Sequence, residues 1–356
     1  MSKDYGRLPR HEKAVNLGLQ GGGAHGAFTW GVLDRLFEDG RIWIEAISGT
    51  SAGAMNAVVA AHGMYDGGGE GAREALEAFW RKVSHAAVAS PLRRPPWARL
   101  TGRWSLEQSP VYLWLDLASR IASPYDLNPM AINPLRDLVA ETVDFDKVRG
   151  CGDMPVFVSA TNVETGRVRV FTGEELSVDA VMASACLPSM FQAVEIDGEA
   201  YWDGGYMGNP VLFPFIDLGR CDDIVIVQIN PVVRPGVPRS AREIHDRIGE
   251  ITFNSSLLLE LRQIDFVRRM VEEHRLDPAR YREVRVHMIE ARKRMRPLGA
   301  SSKVNAEWAF LRHLRDIGRE AAGRWIERHF DDLGVRSTID VKEMIAGRTR
   351  ARPAAE

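Results

Sequence analysis

The chain has 356 residues, of which 45% are hydrophobic and 26% are charged, and its formal net charge at pH 7 is −2. This balance is typical of a globular protein with a substantial core and excludes the fibrous and intrinsically disordered classes, while the length allows one large α/β domain with additional segments. The near-neutral charge also argues against a nucleic-acid-binding protein, which needs a broad basic surface.

Residues 1–13 form a polar N-terminal segment that lacks the apolar region of a signal peptide. The cysteines Cys151, Cys186 and Cys221 stand far apart, so they predict neither a disulfide framework nor a zinc site and suit a reducing compartment. No apolar run reaches the ~18 residues needed to span a bilayer. We therefore expect a cytoplasmic protein whose contact with membranes is at most peripheral.

Two strand-turn-helix units open the folded region. Residues 14–20 predict a buried strand, 21–23 a glycine turn and 24–37 a helix with one apolar side. The next strand, at 43–47, runs into a second glycine-bearing turn at 48–53 and then into an alanine-rich helix. Strands that are separated by crossover helices pair in parallel, so this order predicts a parallel sheet.

The middle of the chain mixes loops with further strands. Residues 63–71 contain five glycines and predict a flexible loop before a helix at 72–83. The proline-punctuated residues from about 84 to 133 predict an insertion rather than part of a sheet. Two strands follow at 155–160 and 167–171, joined by a turn.

Shorter elements complete the predicted sheet. A helix is expected at 178–185, and the strands at 191–196 and 199–202 form a hairpin through Asp197-Gly198, which is a favoured two-residue turn. A last buried strand is expected at 223–229.

The remaining residues are predicted to be a mainly helical extension over 231–346, with helices at 257–273 and 307–330. The tail at 347–356 is predicted to be disordered. Together these elements predict a three-layer α/β/α sandwich with a mostly parallel central sheet and a helical C-terminal appendage.

The first motif lies between the first strand and the first helix and matches G-x-G-x-x-G. It comprises Gly21, Gly22, Gly23, Ala24, His25 and Gly26. Alone, this pattern is typical of a dinucleotide-binding turn. Its physical content is that glycines let backbone N–H groups approach an anion at a helix N-terminus, and that anion is either a pyrophosphate or a developing oxyanion.

The second motif favours the oxyanion. Gly49, Thr50, Ser51, Ala52 and Gly53 form a G-x-S-x-G pentapeptide between a strand and a helix, the context in which a serine hydroxyl is exposed on a sharp turn. A dinucleotide fold would instead place an acidic residue at the end of the second strand. A nucleotide-binding module remains the alternative from a different functional class.

A serine nucleophile needs a base, which is usually a histidine oriented by a carboxylate. Nine histidines are present, but none after Ser51 lies in a strand-to-turn context. Asp203, at the end of the strand at 199–202 and followed by Gly204 and Gly205, is the better candidate because glycines allow close approach to another backbone. The competing enzyme is a histidine-assisted esterase of the α/β-hydrolase type, which normally places several strands before its nucleophile.

The three motifs, in this order, resemble the patatin-like phospholipases over about residues 14–230. Two further stretches, at 160–166 and 184–188, are also similar to that family. The resemblance implies a catalytic domain over 14–230 that hydrolyses acyl lipids through a Ser51-Asp203 dyad, without histidine, metal or cofactor. It places the oxyanion hole on Gly21, Gly22, Gly23 and Ala24, chiefly on the N–H groups of Gly22 and Gly23.

Two positions depart from the family pattern. His25 stands where many members have arginine or lysine, and it would supply a cation only near or below its ordinary pKa of ~6.5. The alternative is a histidine that forms only a local hydrogen bond. Gly205 replaces the alanine that many members have, which changes little.

Contact with lipid is expected at residues 91–104. They contain four arginines, Arg93, Arg94, Arg99 and Arg103, together with Trp97 and Trp104 and no acid. This mixture suits an anionic membrane surface. The alternative is a solvated loop whose tryptophans pack on the protein, and core packing is the expected role of the amphipathic helix at 257–273.

Overall fold

The computed structural model of the chain describes residues 11–88, 90, 92–95, 104–119 and 121–347. Apart from Gly347, the tail that the sequence predicts to be disordered lies outside the described residues, as do most of the polar N-terminal residues.

A sheet of eight strands forms the centre of the molecule. The strands are β1 (Lys13–Leu19), β2 (Ile42–Gly49), β3 (Val156–Asn162), β4 (Val168–Phe171), β5 (Val194–Ile196), β6 (Glu199–Asp203), β7 (Asp223–Gln228) and β8 (Arg285–Glu290). Their order is β5-β6-β3-β2-β1-β7-β8, and β4 also pairs with β3. The five strands from β3 to β8 along this order are parallel, whereas β4, β5 and β6 run antiparallel to their neighbours.

Helices cover both faces of the sheet. They are α1 (Gly26–Asp39), α2 (Ala52–Val88), α3 (Pro110–Ala118), α4 (Pro124–Leu127), α5 (Pro134–Thr142), α6 (Phe145–Gly150), α7 (Val178–Ser184), α8 (Phe213–Leu218), α9 (Ala241–Glu272), α10 (Arg292–Met295), α11 (Trp308–His329) and α12 (Val341–Ile345). Short 3-10 helices at Gly23–His25 and Ala300–Val304 precede α1 and follow α10.

Alternation along the strands separates two hydrophobic clusters. Val225 and Val227 of β7 point into a cluster with α1, α2 and α11, while Ile224 and Ile226 point into a second cluster with α8, α9 and α12. Successive side chains of a strand face opposite sides of a sheet, so each face is buried by its own helices. The predicted three-layer α/β/α sandwich with a mostly parallel central sheet and C-terminal helices is confirmed.

The glycine-rich residues 63–71 do not form the predicted loop. Helix α2 continues through them to Val88, and only Gly67 and Gly68 leave helical geometry, where the chain kinks. A Cβ on Gly63 would lie 2.3 Å from the carbonyl oxygen of Gly71. The glycines therefore let the two halves of α2 pack backbone against backbone. Local composition cannot show this contact, so from the sequence the glycines predict a loop. The residues expected to begin an insertion at about 84 belong to the same helix.

The C-terminal part contributes more to the sheet than the sequence indicated. β8 adds a parallel strand beside β7, and α9 begins at Ala241 rather than near 257. Ser240 caps α9 by accepting a hydrogen bond from the Glu243 amide, and the Glu243 carboxylate accepts one from Ser240 in return. This S-x-x-E spacing is the capping-box signal that locates the true start of the helix.

The arginine- and tryptophan-bearing residues 91–104 are described only in part. Arg94 is buried and paired with Glu307, with 2.6 Å between Nη2 and Oε2, and its guanidinium lies 4.2 Å from the centre of the Trp104 ring. Trp104 in turn stacks on Phe310 at 5.0 Å. These two side chains pack on the protein, whereas Trp97, Arg99 and Arg103 lie outside the described residues. Among the described helices, none combines the length and apolar character that a bilayer crossing requires.

Helices α1 and α11 touch through glycines. A Cβ on Gly318 would lie 2.1 Å from the carbonyl oxygen of Phe28, and a Cβ on Gly31 would lie 1.9 Å from that of Arg315. These separations are shorter than any real contact, so the helices can approach this closely only because glycine has no side chain.

We predict that Gly318→Ala lowers the free energy of unfolding by about 1–3 kcal/mol, because the methyl group forces the two helices apart. Gly323→Ala, in the same helix, is the matched control: its Cβ would meet only the Arg35 side chain at 3.6 Å. It should raise stability by up to ~1 kcal/mol through helix propensity. Urea unfolding of both variants measures the difference, and equal stabilities would contradict the close helix contact.

Candidate active site

The glycine loop and the serine turn meet because their strands are neighbours. Leu19 of β1 pairs with Gly49 of β2, and each chain continues beyond the same edge of the sheet. Two residues further on, a Cβ on Gly21 would lie 2.8 Å from the Cβ of Ser51. The loop that the first motif predicts therefore lies directly against the serine of the second.

The third motif reaches the same place from the other side. Gly49 pairs with Val158 of β3, and Ala160, two residues beyond Val158, pairs with Asp203 of β6. Ser51 lies two residues beyond Gly49, and this register therefore places it at the same level along the strands as Asp203. The register of four strands brings together residues that are far apart in the sequence.

Ser51 sits on a strained turn between β2 and α2. Its φ is +54°, a left-handed conformation that is uncommon for a residue with a side chain. A Cβ on Gly49 would lie 2.5 Å from the carbonyl oxygen of Gly53, and one on Gly53 would lie 2.2 Å from that of Leu19. Both glycines are therefore required where the turn closes against β1.

Hydroxyl groups hold this turn in place. The Ser51 amide donates a hydrogen bond to Ser184 Oγ at 2.8 Å. Thr50 Oγ1 donates to the carbonyl oxygen of Gly208 at 2.7 Å and lies 2.7 Å from Ser159 Oγ. Such contacts offset the cost of a strained backbone. Ser184 belongs to the family-like stretch at 184–188, but the sequence did not indicate this contact.

Asp203 is buried at the end of β6, with 1% of its surface exposed. Its amide donates to the carbonyl oxygen of Cys186 at 2.8 Å, and its carbonyl oxygen accepts from Thr161 Oγ1 at 2.9 Å. The carboxyl oxygen Oδ1 accepts from the Gly205 amide at 2.7 Å, and the Ser51 side chain lies close enough to the carboxyl group to lower its pKa. The structure thus brings Ser51 and Asp203 together.

Burial raises the pKa of Asp203 from its ordinary 3.8 to about 7. Hydrogen bonds from the Gly205 amide and the Ser51 side chain, and the positive charge of Lys303, act in the opposite direction. Desolvation dominates because it penalises the charged carboxylate. A group with this pKa exchanges a proton near neutral pH.

Two glycines after Asp203 allow the chain to turn inside the protein. A Cβ on Gly204 would lie 2.1 Å from the carbonyl oxygen of Ser159, and one on Gly205 would lie 2.1 Å from the ring of Phe253. Phe253 belongs to α9, so a helix from the C-terminal part covers the Asp203 turn.

The first glycine of the loop is held from both sides. The Gly21 amide donates to Asn209 Oδ1 at 2.7 Å, and the Gly21 carbonyl oxygen accepts from Asn230 Nδ2 at 2.7 Å. The N–H of Gly21, which the sequence placed among the oxyanion donors, is therefore already bonded to Asn209. Local sequence did not reveal this, because Asn209 and Asn230 are distant along the chain.

The N–H groups of Gly22, Gly23 and Ala24 remain as candidate donors. They stand at the start of the 3-10 helix Gly23–His25, which runs directly into α1. The first amides of a helix have no acceptor within that helix, and they lie at its positive end. Gly26 allows α1 to pack closely on α2, since a Cβ at this position would lie 2.7 Å from the Cβ of Ala52.

His25 does not supply a cation. It is buried, and its Nε2 lies 2.8 Å from Ser302 Oγ, which itself donates to the carbonyl oxygen of Gly299. Ser302 Oγ therefore accepts a hydrogen bond from His25 Nε2, which places a hydrogen on Nε2. Burial, aided by the charge of Lys303, lowers the pKa of His25 to about 3. Of the two interpretations of His25, the local hydrogen bond is the one that fits.

The most conspicuous His–Asp pair lies at the other edge of the sheet. His287 is fully buried, with Nε2 2.9 Å from Asp223 Oδ1. Asp223 begins β7, whereas Ser51 follows the end of β2, which runs in the same direction as β7. This pair therefore does not serve as the base of a serine triad at Ser51.

Comparison with known proteins agrees with the three motifs. A model of the family described as patatin-like phospholipase matches residues 17–216. A search of curated proteins found no match.

Two solved structures are similar at low identity. VipD from Legionella pneumophila is 16% identical with a TM-score of 0.35, and the match covers 87% of this chain and 67% of VipD. A chain of the ExoU–SpcU complex from the type III secretion system of Pseudomonas aeruginosa is 16% identical with a TM-score of 0.36, covering 90% of this chain and 52% of that one. Both TM-scores are below 0.5, so the assignment depends on the family model, which matches more than half of the chain. The chain belongs to the patatin-like phospholipase family and is a hydrolase that acts on ester bonds of lipids.

Proposed function

We propose that the chain hydrolyses acyl lipids by two-step acyl transfer, with Ser51 as nucleophile and Asp203 as general base. The observation that carries the proposal is the pairing of a serine on a strained turn with a buried carboxyl group whose pKa is raised to about 7. An ordinary aspartate is too weak a base for a hydroxyl group, and burial makes Asp203 a stronger one.

In the first step, Ser51 Oγ attacks the ester carbonyl carbon while its proton passes to Asp203. The carbonyl oxygen becomes an oxyanion, which the N–H groups of Gly22, Gly23 and Ala24 receive at the positive end of α1. When the C–O bond to the alcohol breaks, Asp203 returns the proton to the leaving oxygen and an acyl-serine remains.

In the second step, water attacks the acyl-serine. Asp203 takes a proton from the water, the oxyanion forms again at the same amides, and the proton passes to Ser51 Oγ as the acid departs. One carboxyl group thus acts alternately as base and acid, which requires a pKa near the working pH.

An exposed apolar surface supports contact with a lipid surface. Trp114 and Leu117 of α3 are 63% and 58% exposed, and Ile121 and Met130 are each 80% exposed. This segment lies beside the chain that leads to Asp203, since Gln192 Nε2 donates to the carbonyl oxygen of Asn128 at 2.8 Å. Tryptophan and leucine in such a position partition into the lipid interface.

We predict that Ser51→Ala abolishes hydrolysis of short acyl esters and labelling by a fluorophosphonate while the fold is retained. The substitution removes the nucleophile and adds no bulk. Mass spectrometry of the labelled wild type should locate one modified serine, at Ser51. Substantial hydrolysis by a folded Ser51→Ala protein would disprove the role of this residue.

We predict that Asp203→Asn lowers kcat by about 10²–10⁴-fold with little change in KM, because the amide keeps the size of the site but accepts no proton. The wild-type rate should fall as the pH drops through about 7, where Asp203 becomes protonated.

Glu260→Gln is the necessary control for that pH profile. Burial also raises the pKa of Glu260 to about 7, and its Oε2 accepts from the amides of Leu212 and Phe213. If Asp203 is the base, the acid limb persists in Glu260→Gln and is absent from the residual activity of Asp203→Asn. The reverse pattern would assign the limb to Glu260.

We predict that the double variant Trp114→Ser, Leu117→Ser binds phospholipid vesicles roughly tenfold or more weakly than the wild type. The reason is that two apolar side chains are no longer transferred from water into the lipid interface. Turnover of a soluble short-chain ester should not change. Val335→Ser is the control, since Val335 is 70% exposed and lies near Asp223 at the opposite edge of the sheet. Equal vesicle binding by all three proteins would remove α3 from the lipid-contact surface.

A further inference from the structure

Lys303 lies beside the glycine loop although it is remote in the sequence. It belongs to the 3-10 helix Ala300–Val304, beyond the residues 17–216 that match the family model. A Cβ on Gly23, whose φ is +57°, would lie 2.4 Å from the carbonyl oxygen of Lys303. The adjacent Ser302 is hydrogen-bonded to His25. This short helix therefore packs directly on the loop.

The ammonium group of Lys303 acts on the loop through one side chain. Its Nζ donates to Asn230 Oδ1 at 2.8 Å, and Asn230 Nδ2 donates to the Gly21 carbonyl oxygen at 2.7 Å. An ammonium group only donates hydrogen bonds, so it determines which end of the Asn230 amide faces it. The other end, the NH₂ group, then faces Gly21.

The bond to Gly21 orients the next amide. The peptide between Gly21 and Gly22 is planar and trans, so its C=O and N–H groups point in opposite directions. Holding the carbonyl oxygen with Asn230 therefore aims the Gly22 N–H away from Asn230. The Gly21 N–H is bonded to Asn209 at the same time, so the peptide groups on both sides of Gly21 are restrained.

The charge of Lys303 also reaches the base. Acidic groups that face it are Asp203, Asp246 and Glu250, and Arg234 opposes it, while His25 nearby is neutral. Arg234 itself pairs with Glu250. The charge of Lys303 lowers the pKa of Asp203 against the larger effect of burial.

Two further ionisable groups face Asp203 but carry no charge near neutral pH. Burial raises the pKa of Cys186 to about 12, and burial likewise raises the pKa of Tyr206. Removal of the Lys303 charge should therefore appear directly in the titration of Asp203.

We infer that Lys303 is a positioning residue of the acyl-transfer site, which holds the Gly21–Gly22 peptide through Asn230 so that the Gly22 amide receives the oxyanion. The inference deepens the proposed function and depends on it. The ammonium group touches neither Ser51 nor the ester, and it acts through Asn230 and through its charge.

The test compares Lys303→Met, Asn230→Leu and the double variant, with a soluble short-chain ester as substrate. Lys303→Met should lower kcat by about 10²-fold with little change in KM, which is the scale of one lost oxyanion donor. Asn230→Leu should cause a similar loss. The double variant should lose little more than either single variant, because both substitutions break the same link.

The pH profile separates positioning from a merely structural role. Without the cation, the carboxylate form of Asp203 is less favoured and its pKa rises, so the acid limb of Lys303→Met should move to higher pH. Lys293→Met, which replaces an exposed lysine on α10, should leave both kcat and the limb unchanged.

A folded Lys303→Met enzyme with wild-type kcat and an unmoved acid limb overturns the inference. If Lys303→Met fails to fold, Asn230→Leu decides, because wild-type kcat in that variant excludes the link. Fluorophosphonate labelling distinguishes a failure of the Lys303 role from a failure of the proposed function. If Ser51 is labelled but Lys303→Met has the same kcat as the wild type, only the role of Lys303 is overturned. If the wild type is active but carries no label at Ser51, the proposed function is overturned as well.

Discussion

The approach of three backbone segments at one edge of the sheet is the constraint on which the rest of the site depends. The glycine loop follows β1, the Ser51 turn follows β2, and the Asp203 turn follows β6, which is separated from β2 by β3. Each turn passes so close to an adjoining segment of backbone that side chains are excluded. A Cβ on Gly21, Gly53 or Gly204 would lie within 3 Å of an atom of the adjoining segment. The glycines are therefore needed because strand spacing, about 4.8 Å, leaves no room for anything larger where the chains turn.

Close packing at this edge also excludes water, and that exclusion sets the chemistry. Asp203 is almost completely buried, so its charged form loses hydration and its pKa rises to about 7. The same burial lowers the pKa of His25 and removes that residue as a source of charge. The positive charge near the loop is instead carried by Lys303, whose pKa is lowered by burial while the acidic neighbours Asp203, Asp246 and Glu250 favour its charged form. Isolated buried charges are costly, and this arrangement keeps opposite charges within one cluster.

The part of the chain beyond residue 216 completes the domain. β8 widens the sheet, α11 packs on α1 through glycines, and Phe253 of α9 covers the Asp203 turn. The 3-10 helix that contains Lys303 lies against the glycine loop. The edge of the sheet that carries the proposed site is thus enclosed by segments that come last in the chain. Apolar burial on both faces of the sheet joins these segments into a continuous fold.

The sequence alone determined what depends on local backbone chemistry. The strand-turn-helix order, the Asp197-Gly198 hairpin and the glycine-flanked Ser51 follow from alternation, turn preferences and the absence of side chains, all of which can be read over a few residues. Only the tertiary structure decided what depends on distant partners. It showed that Asn209 occupies the Gly21 amide, that residues 63–71 stay largely helical, and that Lys303 reaches the loop. Such contacts join residues far apart in the chain, and no local pattern encodes the register that brings them together.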